Sequence, residues 1–376
     1  SGGSENTKFN IAMGYFRDIG IIPGQDFTRY TTRINVDQNI GQRIKIGVTS
    51  LGSYSERNGE DVNPYGQGAD FGALTENPLG KAYDDKGELI FLPTSDGLRS
   101  NPLSELVPGA VINKRKTFRL LSNLFAEAEI VSGLRFRMNF ATDLTKTKKG
   151  DFRGRYTNIR RLGDPSAASN EDFTLAYTWE NILTYKKRIG EKHSIDFTGL
   201  YSLQTRQFEN SSISVAGLPV EDFEYYNLGA ASIINSVGSA YEKWSILSYM
   251  ARINYAYDNR FLFTLTGRAD GSSKFSEGKK WGYFPSAAVA WNVSNEAFMS
   301  GNLLFSNLKV RASYGSTGNE GILPYQTNGL LTRTQYDFDG SAAFGYRPSS
   351  IRNSDLRWET TSTFNFGVDF GLWNNR

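Results

Sequence analysis

The segment LSYMARINYAYDNRFLFTLTGRADGSSKF, residues 247–275, decides the fold class of this chain. Two stretches within it alternate apolar with polar residues, and only the triplet 258–260 separates them. A period of two on both sides of a short connection predicts a β-hairpin. The apolar side of this hairpin comprises Leu247, Tyr249, Ala251, Ile253, Tyr255, Tyr257, Phe261, Phe263, Leu265, Gly267 and Ala269. Whether that side contacts a protein core or lipid has to be decided from the rest of the chain.

Composition limits the possible classes of protein. Hydrophobic residues make up 39% of the 376 residues, and the mean hydropathy is −0.44. No run of about 18 apolar residues exists, so no membrane-spanning helix is predicted, but the strands of a membrane barrel also keep the average hydropathy low. The net charge of +3 argues against a nucleic-acid binder, and the absence of cysteine excludes disulfide scaffolds and thiolate metal sites.

About twelve strand-like runs follow one another along the chain, and most are long enough to cross a bilayer as tilted strands. They lie at 7–16, 27–38, 42–54, 116–130, 134–146, 172–187, 193–206, 243–257, 261–270, 281–294, 307–315 and 356–371. Long and short connections alternate between them, and 295–306 is the one turn that breaks this pattern. Short periplasmic turns and long extracellular loops are typical of an outer-membrane barrel, whereas a large soluble β-sheet remains the alternative.

The two faces of the runs agree with a barrel in lipid. We expect a lipid-facing set that comprises Leu247, Tyr249, Ile253, Phe263, Leu265, Val289, Val310, Phe366 and Val368. Arg252, Arg268 and Asp270 then point into a polar lumen, since each charge on the lipid face would cost about 2–4 kcal/mol at the midplane. The sequence therefore predicts an all-β, transmembrane antiparallel β-barrel.

Several stretches resemble the SusC/RagA-like TonB-dependent outer-membrane transporters of Bacteroidetes. They are residues 1–30, 263–275, KWGYFPSAAVAWNVSNEAFM (280–299), SNLKVRASYGSTGNEGILPY (306–325) and LRWETTSTFNFGVDFGLWNN (356–375). The resemblance implies a barrel of twenty-two strands around an N-terminal plug, a SusD-like surface lipoprotein as a lid, and energy from the TonB system. No plug, TonB box or terminal strand pattern is recognisable, so we expect residues 1–376 to be a partial barrel domain within a longer protein.

Chemistry-bearing motifs are few. The single histidine, His193, lies in a short turn, and the carboxylates form no paired constellation, so the sequence predicts no enzyme, no cofactor and no metal site. The stretch Asp337-Phe338-Asp339-Gly340 is a fragment of a calcium-loop pattern without its closing glutamate, and a turn is the alternative.

Two sets of loop residues are candidate contact sites. The basic stretch 146–161 predicts contacts to lipopolysaccharide phosphates by Lys148, Lys149, Arg153 and Arg155, with a solvated loop and a nucleic-acid site as alternatives. Aromatic residues in the long loops are candidates for contacts with substrate or lid, although they could equally hold the loops together. These residues are Tyr65, Phe71, Tyr225, Tyr226, Tyr325, Tyr336, Phe338 and Tyr346.

The resemblance implies a multi-pass protein of the cell outer membrane that imports large nutrients, oligosaccharides or peptides, with a SusD-like partner. The partners expected are therefore that lipoprotein, the TonB system, outer-membrane lipid with lipopolysaccharide, and the substrate, with no nucleic acid. A barrel that serves only as a scaffold in an outer-membrane assembly is the alternative, and a passive porin is a third interpretation.

Overall fold

The computed structural model describes residues 1–59, 69–301 and 304–373, and its regular secondary structure consists mainly of antiparallel strands. One 13-stranded sheet runs in the order β1 to β12 and then β15, so neighbours in sequence are neighbours in the sheet. Its strands are β1 (Gly2–Gly3), β2 (Thr7–Ile19), β3 (Asp26–Ile40), β4 (Ile44–Asn58), β5 (Val111–Val131), β6 (Leu134–Arg153), β7 (Ser166–Ile189), β8 (His193–Ala216), β9 (Ile233–Tyr257), β10 (Phe261–Ser272), β11 (Trp281–Asn292), β12 (Phe305–Asn319) and β15 (Glu359–Leu372). A separate hairpin consists of β13 (Leu331–Phe338) and β14 (Ser341–Pro348).

The helical elements are short and lie in the connections. They are α1 (Ala69–Thr75) and five 3-10 turns at Pro102–Leu106, Glu221–Phe223, Leu228–Ala230, Val293–Asn295 and Ala297–Met299. In the part of the chain that the structure describes, no helix has the length and apolar character needed to cross a bilayer.

Each of the twelve predicted runs coincides with a strand of the main sheet, which confirms the fold class. The alternation of connections is also confirmed. One side of the sheet has turns at 41–43, 132–133, 190–192, 258–260 and the longer 293–304. The other side has connections at 20–25, 59–110, 154–165, 217–232, 273–280 and 320–358. We call these the short-turn side and the long-loop side; the sequence prediction assigns them to the periplasm and the cell exterior, respectively.

Strands β5 to β9 are longer than predicted, and nearly all of the added residues lie on the long-loop side. The predicted loop 207–242 was too wide, since β8 continues to Ala216 and β9 begins at Ile233. With its 24 residues, β8 spans about 80 Å, or about 60 Å along the membrane normal at a tilt near 40°, against an apolar band of about 25 Å. The added segments, such as 209–214, carry polar residues on both faces, so the alternation that marked the membrane-spanning part is lost there.

Hairpin β13–β14 lies within the predicted loop 316–355 and was missed. Its turn is Asp339-Gly340, where both residues have positive φ, 54° and 80°, as a two-residue hairpin turn requires. The Asp-Gly pair is thus explained by backbone geometry, which favours the turn interpretation over the calcium-loop fragment. The position of the Asp339-Gly340 pair between two runs of β-forming residues is the sequence signal that could have identified the hairpin.

Residue register gives the sheet one apolar and one polar face. The nine residues of the predicted lipid-facing set share one face of the sheet. Residues directly opposite each other on paired strands point to the same face, and such pairs link Ile253 to Leu265, and Phe263 to Val289. The same pairing continues across β12 to β15. On the other face Arg252 donates from Nε to Thr266 Oγ1 at 3.0 Å. Leu265 on the apolar face is 61% exposed, whereas Ser248 on the polar face is 3% exposed. Exposed apolar and sheltered polar side chains are the reverse of a soluble sheet and are typical of a membrane barrel.

The longer short-turn segment 293–304 is clamped to the neighbouring turn. Arg260 donates to both carboxylate oxygens of Glu296, and the indole Nε1 of Trp291 donates to the same carboxylate at 2.8 Å. The amide of Asn292 donates to the carbonyl of Asn259 at 2.6 Å. These bonds to Arg260 and Trp291 hold the pKa of Glu296 below its ordinary value. The extra residues in this turn therefore fasten two adjacent hairpin connections together.

Candidate functional site

The long-loop side carries most of the candidate contact residues, and its connections are anchored in different ways. Loop 217–232 packs against a buried hydrophobic cluster. Tyr225 is only 6% exposed and belongs to a buried cluster with Phe152, Val215 and Leu218. A methyl group built on Gly150 would lie 2.3 Å from the Tyr225 ring, so glycine is needed for this close approach.

Tyr225 and Tyr226 form a stacked pair with different roles. Their ring centroids are 4.3 Å apart, and the Tyr225 hydroxyl donates to the Tyr226 hydroxyl at 3.0 Å. Burial, together with this hydrogen bond, raises the pKa of Tyr225. Tyr226 is 67% exposed. Tyr225 therefore fixes the loop, and Tyr226 is the ring that remains free to meet another molecule.

Loop 217–232 packs on the outer side of the protruding strands. Phe152 is an even number of residues from Phe140 in β6, and Val215 is an even number of residues from Leu203 in β8. Phe140 and Leu203 lie on the apolar face nearer the short-turn side, so Phe152 and Val215 point to that same face. A loop that folded into the lumen would cover the opposite, polar face. The register thus places the Tyr225 cluster on the outside of the barrel wall, a position that the sequence did not indicate.

Loop 59–110 is held together internally by buried polar bonds. The side-chain amide of Asn101, 2% exposed, donates to the carbonyls of Ala82 and Ile90, at 2.9 Å each. Between this loop and loops 154–165 and 217–232 lies a cleft of about 390 Å³. Its lining includes Leu89, Phe91, Val107, Tyr156 and Glu221. Phe71 lies in α1 and is partly exposed, whereas Tyr65 lies outside the described residues.

Loop 320–358 combines an anchored base with a projecting hairpin. At the base, Lys274 forms a sheltered salt bridge of 2.9 Å with Glu320, and Ser272 donates to the same carboxylate. The Tyr325 hydroxyl accepts a hydrogen bond from the backbone N–H of Lys243 at 3.1 Å. This predicted contact residue therefore supports the base, although its ring is partly exposed.

Hairpin β13–β14 presents aromatic rings on both of its faces. Its strands pair only with each other, and alternation places Tyr336 and Phe338 on one face and Phe344 and Tyr346 on the other. All four side chains are exposed. An isolated two-stranded hairpin is marginally stable in water, so a surface of this kind gains most from contact with a partner or ligand. Phe344 was not among the predicted contact residues.

The four basic candidates are not gathered on one surface. Lys148 lies on the apolar face of the sheet and pairs with Glu171 at 3.0 Å, whereas Lys149 lies on the polar face and pairs with Asp151 at 3.4 Å. Arg153 has the same parity as Lys149. Arg155 lies beyond β6, where its side chain approaches Asp164 and its backbone N–H donates to Glu221.

The polar face carries a charged ladder near the short-turn side. The Arg137 guanidinium lies 4.1 Å from the centroid of the Phe125 ring and forms a salt bridge with Glu127. Its Nε also donates to the side chain of Asn139, and the Asn139 amide donates to Glu180. Such a surface suits a hydrated lumen. His193, on the short-turn side, bonds through Nδ1 to the Tyr255 hydroxyl at 2.8 Å. Across the described residues, no group of three or more His, Asp or Glu side chains could hold a metal ion.

Comparison with known proteins identifies the class of this barrel. The family described as TonB dependent receptor-like, beta-barrel matches residues 14–376, and the chain belongs to that family. Proteins of this family are found in the outer membrane, and their names are those of receptors and transporters. The resemblance to SusC/RagA-like proteins is confirmed by particular relatives.

Curated relatives match the whole chain, among them two TonB-dependent receptors. The chain is 30% identical over 382 residues to TonB-dependent receptor P3 of Formosa agariphila, of which the match covers 38%. It is 27% identical over 408 residues to TonB-dependent receptor SusC of Bacteroides thetaiotaomicron, of which the match covers 39%. The chain thus spans less than half the length of these relatives.

Solved structures share the fold. The RagAB peptide importer in its closed-closed state superposes with a TM-score of 0.83 at 24% identity, over 100% of this chain and 42% of that chain. The ferric-catecholate import receptor Fiu of E. coli, in its closed form, gives a TM-score of 0.53 at 11% identity, over 99% of this chain and 53% of that chain. Both likenesses concern the barrel fold.

Proposed function

We propose that this chain is part of the barrel wall of an outer-membrane transporter that imports oligosaccharides or peptides under a SusD-like lid lipoprotein. The observation that carries the proposal is the aromatic hairpin β13–β14, which projects from an anchored base on the long-loop side. Membership of the TonB-dependent receptor family and the similarity to SusC support active import powered by the TonB system.

The barrel wall needs further strands to close. The main sheet is open, with β1 at one edge and β15 at the other. In hydrocarbon an unpaired backbone group costs several kcal/mol, so both edges have to pair. We therefore assign residues 1–376 to a partial barrel domain, and we assign the closing strands, the plug and the TonB-binding segment to other parts of the full-length protein.

The exposed aromatic residues are the contacts that this function requires. Flat rings stack on sugar faces and also contact apolar peptide side chains, so the hairpin suits either substrate class or the lid. We assign such contacts to Phe71, Tyr226, Tyr336, Phe338 and Tyr346, with Phe344 added by the structure. Tyr225 and Tyr325 support the loops that carry these contacts.

The test replaces the four hairpin aromatics together. In the full-length protein, the variant Tyr336→Ala, Phe338→Ala, Phe344→Ala and Tyr346→Ala should reduce substrate uptake and co-purification of the lid lipoprotein by at least about tenfold, the cost of losing more than one ring contact. The matched control Thr332→Ala with Thr334→Ala changes the same hairpin without touching a ring. Heat-modifiable migration in gels checks that both barrels assemble.

Three outcomes distinguish the candidate functions. Unchanged uptake and unchanged lid binding in the aromatic variant would remove the hairpin from the transport mechanism. Wild-type protein that binds its lid, assembles in the membrane and takes up no cargo in the presence of TonB would support the scaffold function. Uptake that persists without TonB would support a passive pore.

A further inference from the structure

Four lysines gather on the apolar face of the sheet, immediately on the long-loop side of its apolar band. We call Lys114, Lys116, Lys146 and Lys148 the lysine belt. They come from two adjacent strands, β5 and β6, and the register places Lys116 directly opposite Lys148. Like charges in directly opposed positions destabilise a sheet, so this arrangement favours a bound anion.

The belt has an excess of positive charge. Two carboxylates pair with its four lysines within the described parts of the chain, Glu56 and Glu171. Each carboxylate has one close partner, since Lys114 lies 2.6 Å from Glu56 and Lys148 lies 3.0 Å from Glu171. The second contacts are at the limit of an ion pair, 4.0 Å for Lys116 and 3.9 Å for Lys146. The positive charges of Lys116 and Lys146 are therefore only weakly neutralised by these carboxylates.

An apolar strip begins directly below the belt. Phe118 lies opposite Lys146, and two residues further toward the short-turn side the register aligns Leu120, Leu144 and Leu175 on three neighbouring strands. Phe118 is exposed, and the three leucines are partly exposed. A surface with cations above and a row of leucines below matches an amphiphile with a phosphorylated head and acyl chains.

The Tyr225 cluster borders the lysine belt on its long-loop side. Gly150 is directly opposite Lys114, and the Tyr225 ring lies against Gly150. Loop 217–232 therefore forms a ledge on the same outer face. The belt lies between this ledge and the apolar strip, at the depth where lipid headgroups end and acyl chains begin.

We propose that the lysine belt binds the phosphate groups of an outer-leaflet glycolipid, the lipid A part of lipopolysaccharide, with its acyl chains on the Leu120, Leu144 and Leu175 row. This inference rests on the proposed membrane function, because it requires the apolar face to meet lipid. Phosphate esters carry between one and two negative charges near neutral pH, and each nearby lysine contributes roughly 1 kcal/mol to the attraction at a membrane surface.

The experiment measures lipid binding to the full-length protein in mild detergent after lipid removal. The probes are lipid A with its phosphates, dephosphorylated lipid A and inorganic phosphate, and native mass spectrometry counts the bound lipids. The double variant Lys116→Gln with Lys146→Gln should lower the affinity for phosphorylated lipid A by about 30-fold, since the two lysines without a close carboxylate partner are lost. The matched control Lys149→Gln removes a lysine of the opposite, polar face and should bind like the wild type.

The outcomes are decisive in both directions. The proposal is supported when phosphorylated lipid A binds the wild type and Lys149→Gln, and when the dephosphorylated form binds weakly to all proteins. Equal affinity of the double variant and the wild type overturns it, as does an equal loss in Lys149→Gln. Binding of inorganic phosphate as strong as that of lipid A would replace the lipid with a free anion. If the double variant does not assemble, the single variants Lys116→Gln and Lys146→Gln take its place.

This test is independent of transport. Lipid binding is counted on purified protein without TonB, lid or cargo, so a protein that binds lipid A but imports nothing would refute import alone. Normal import without any effect of the belt variants on lipid binding would refute the lipid site alone.

Discussion

The substitution Ile253→Arg tests whether the apolar face of the sheet meets lipid. Ile253 is 46% exposed and lies between Phe197 of β8 and Leu265 of β10, both on the apolar face. It is five residues from the turn at Asp258, which corresponds to about 17 Å along the strand and about 13 Å along the membrane normal. That distance is close to the middle of an apolar band about 25 Å tall.

An arginine at this depth should destabilise the full-length barrel by about 2–4 kcal/mol. The chain supplies its own comparison, because Arg252 lies at nearly the same depth and is accommodated on the polar face, where it donates to Thr266. The control variant is Thr264→Arg, since Thr264 lies on the polar face opposite Asn254. Its cost should be within about 0.5 kcal/mol, the usual range for a hydrated surface position.

Denaturant titration of the protein refolded into lipid vesicles measures both variants, and heat-modifiable migration reports assembly in cells. If Ile253→Arg and Thr264→Arg cost the same, the apolar face does not meet lipid, and the sheet is either soluble or shifted by one residue in register. A larger cost for Thr264→Arg would mean that the two faces had been assigned the wrong way round.

Two further predictions concern the ends of the barrel. Because the pKa of Glu296 is lowered by Arg260, the clamp should stabilise the short-turn side at neutral pH and lose this contribution as the pH falls below 4.5. Glu296→Gln should therefore melt a few degrees earlier than the wild type at pH 7, and the difference should vanish in acid; a constant difference would contradict the assignment. On the long-loop side, Tyr225→Ala should cost about 3–5 kcal/mol locally and open loop 217–232 to proteases, while the barrel stays assembled. Tyr226→Ala should leave cleavage unchanged, and equal cleavage in both variants would show that burial does not hold the loop.

The alternation of residues determined much of the fold. Each apolar run needed only its own residues to mark a strand, because side chains point to opposite faces at every step. The short turns then determined the register, as at Gly133 and at Asp258-Asn259, where positive φ values close tight connections. With turn and alternation known, the faces of Ile253 and Arg252 followed from the sequence.

Where both faces are in water, the sequence lost this signal. The ends of β8 and β9 on the long-loop side were predicted as loop, because strands with water on both faces need no apolar residues on either face. The hairpin β13–β14 was hidden for the same reason, since its aromatic residues lie on both faces and follow no single alternation.

The candidate sites depended on tertiary structure. Tyr225 and Tyr226 are equivalent in sequence, and only the packing of Tyr225 against Gly150 separates a buried support from an exposed contact. Lys148 and Lys149 are likewise adjacent, yet they lie on opposite faces, and the partner of Lys148 in the belt is Lys116 on the neighbouring strand. Sequence patterns report neighbours along the chain, whereas a binding surface on a sheet is made across strands. Its members meet only after hydrogen-bonded pairing has fixed which residues lie side by side.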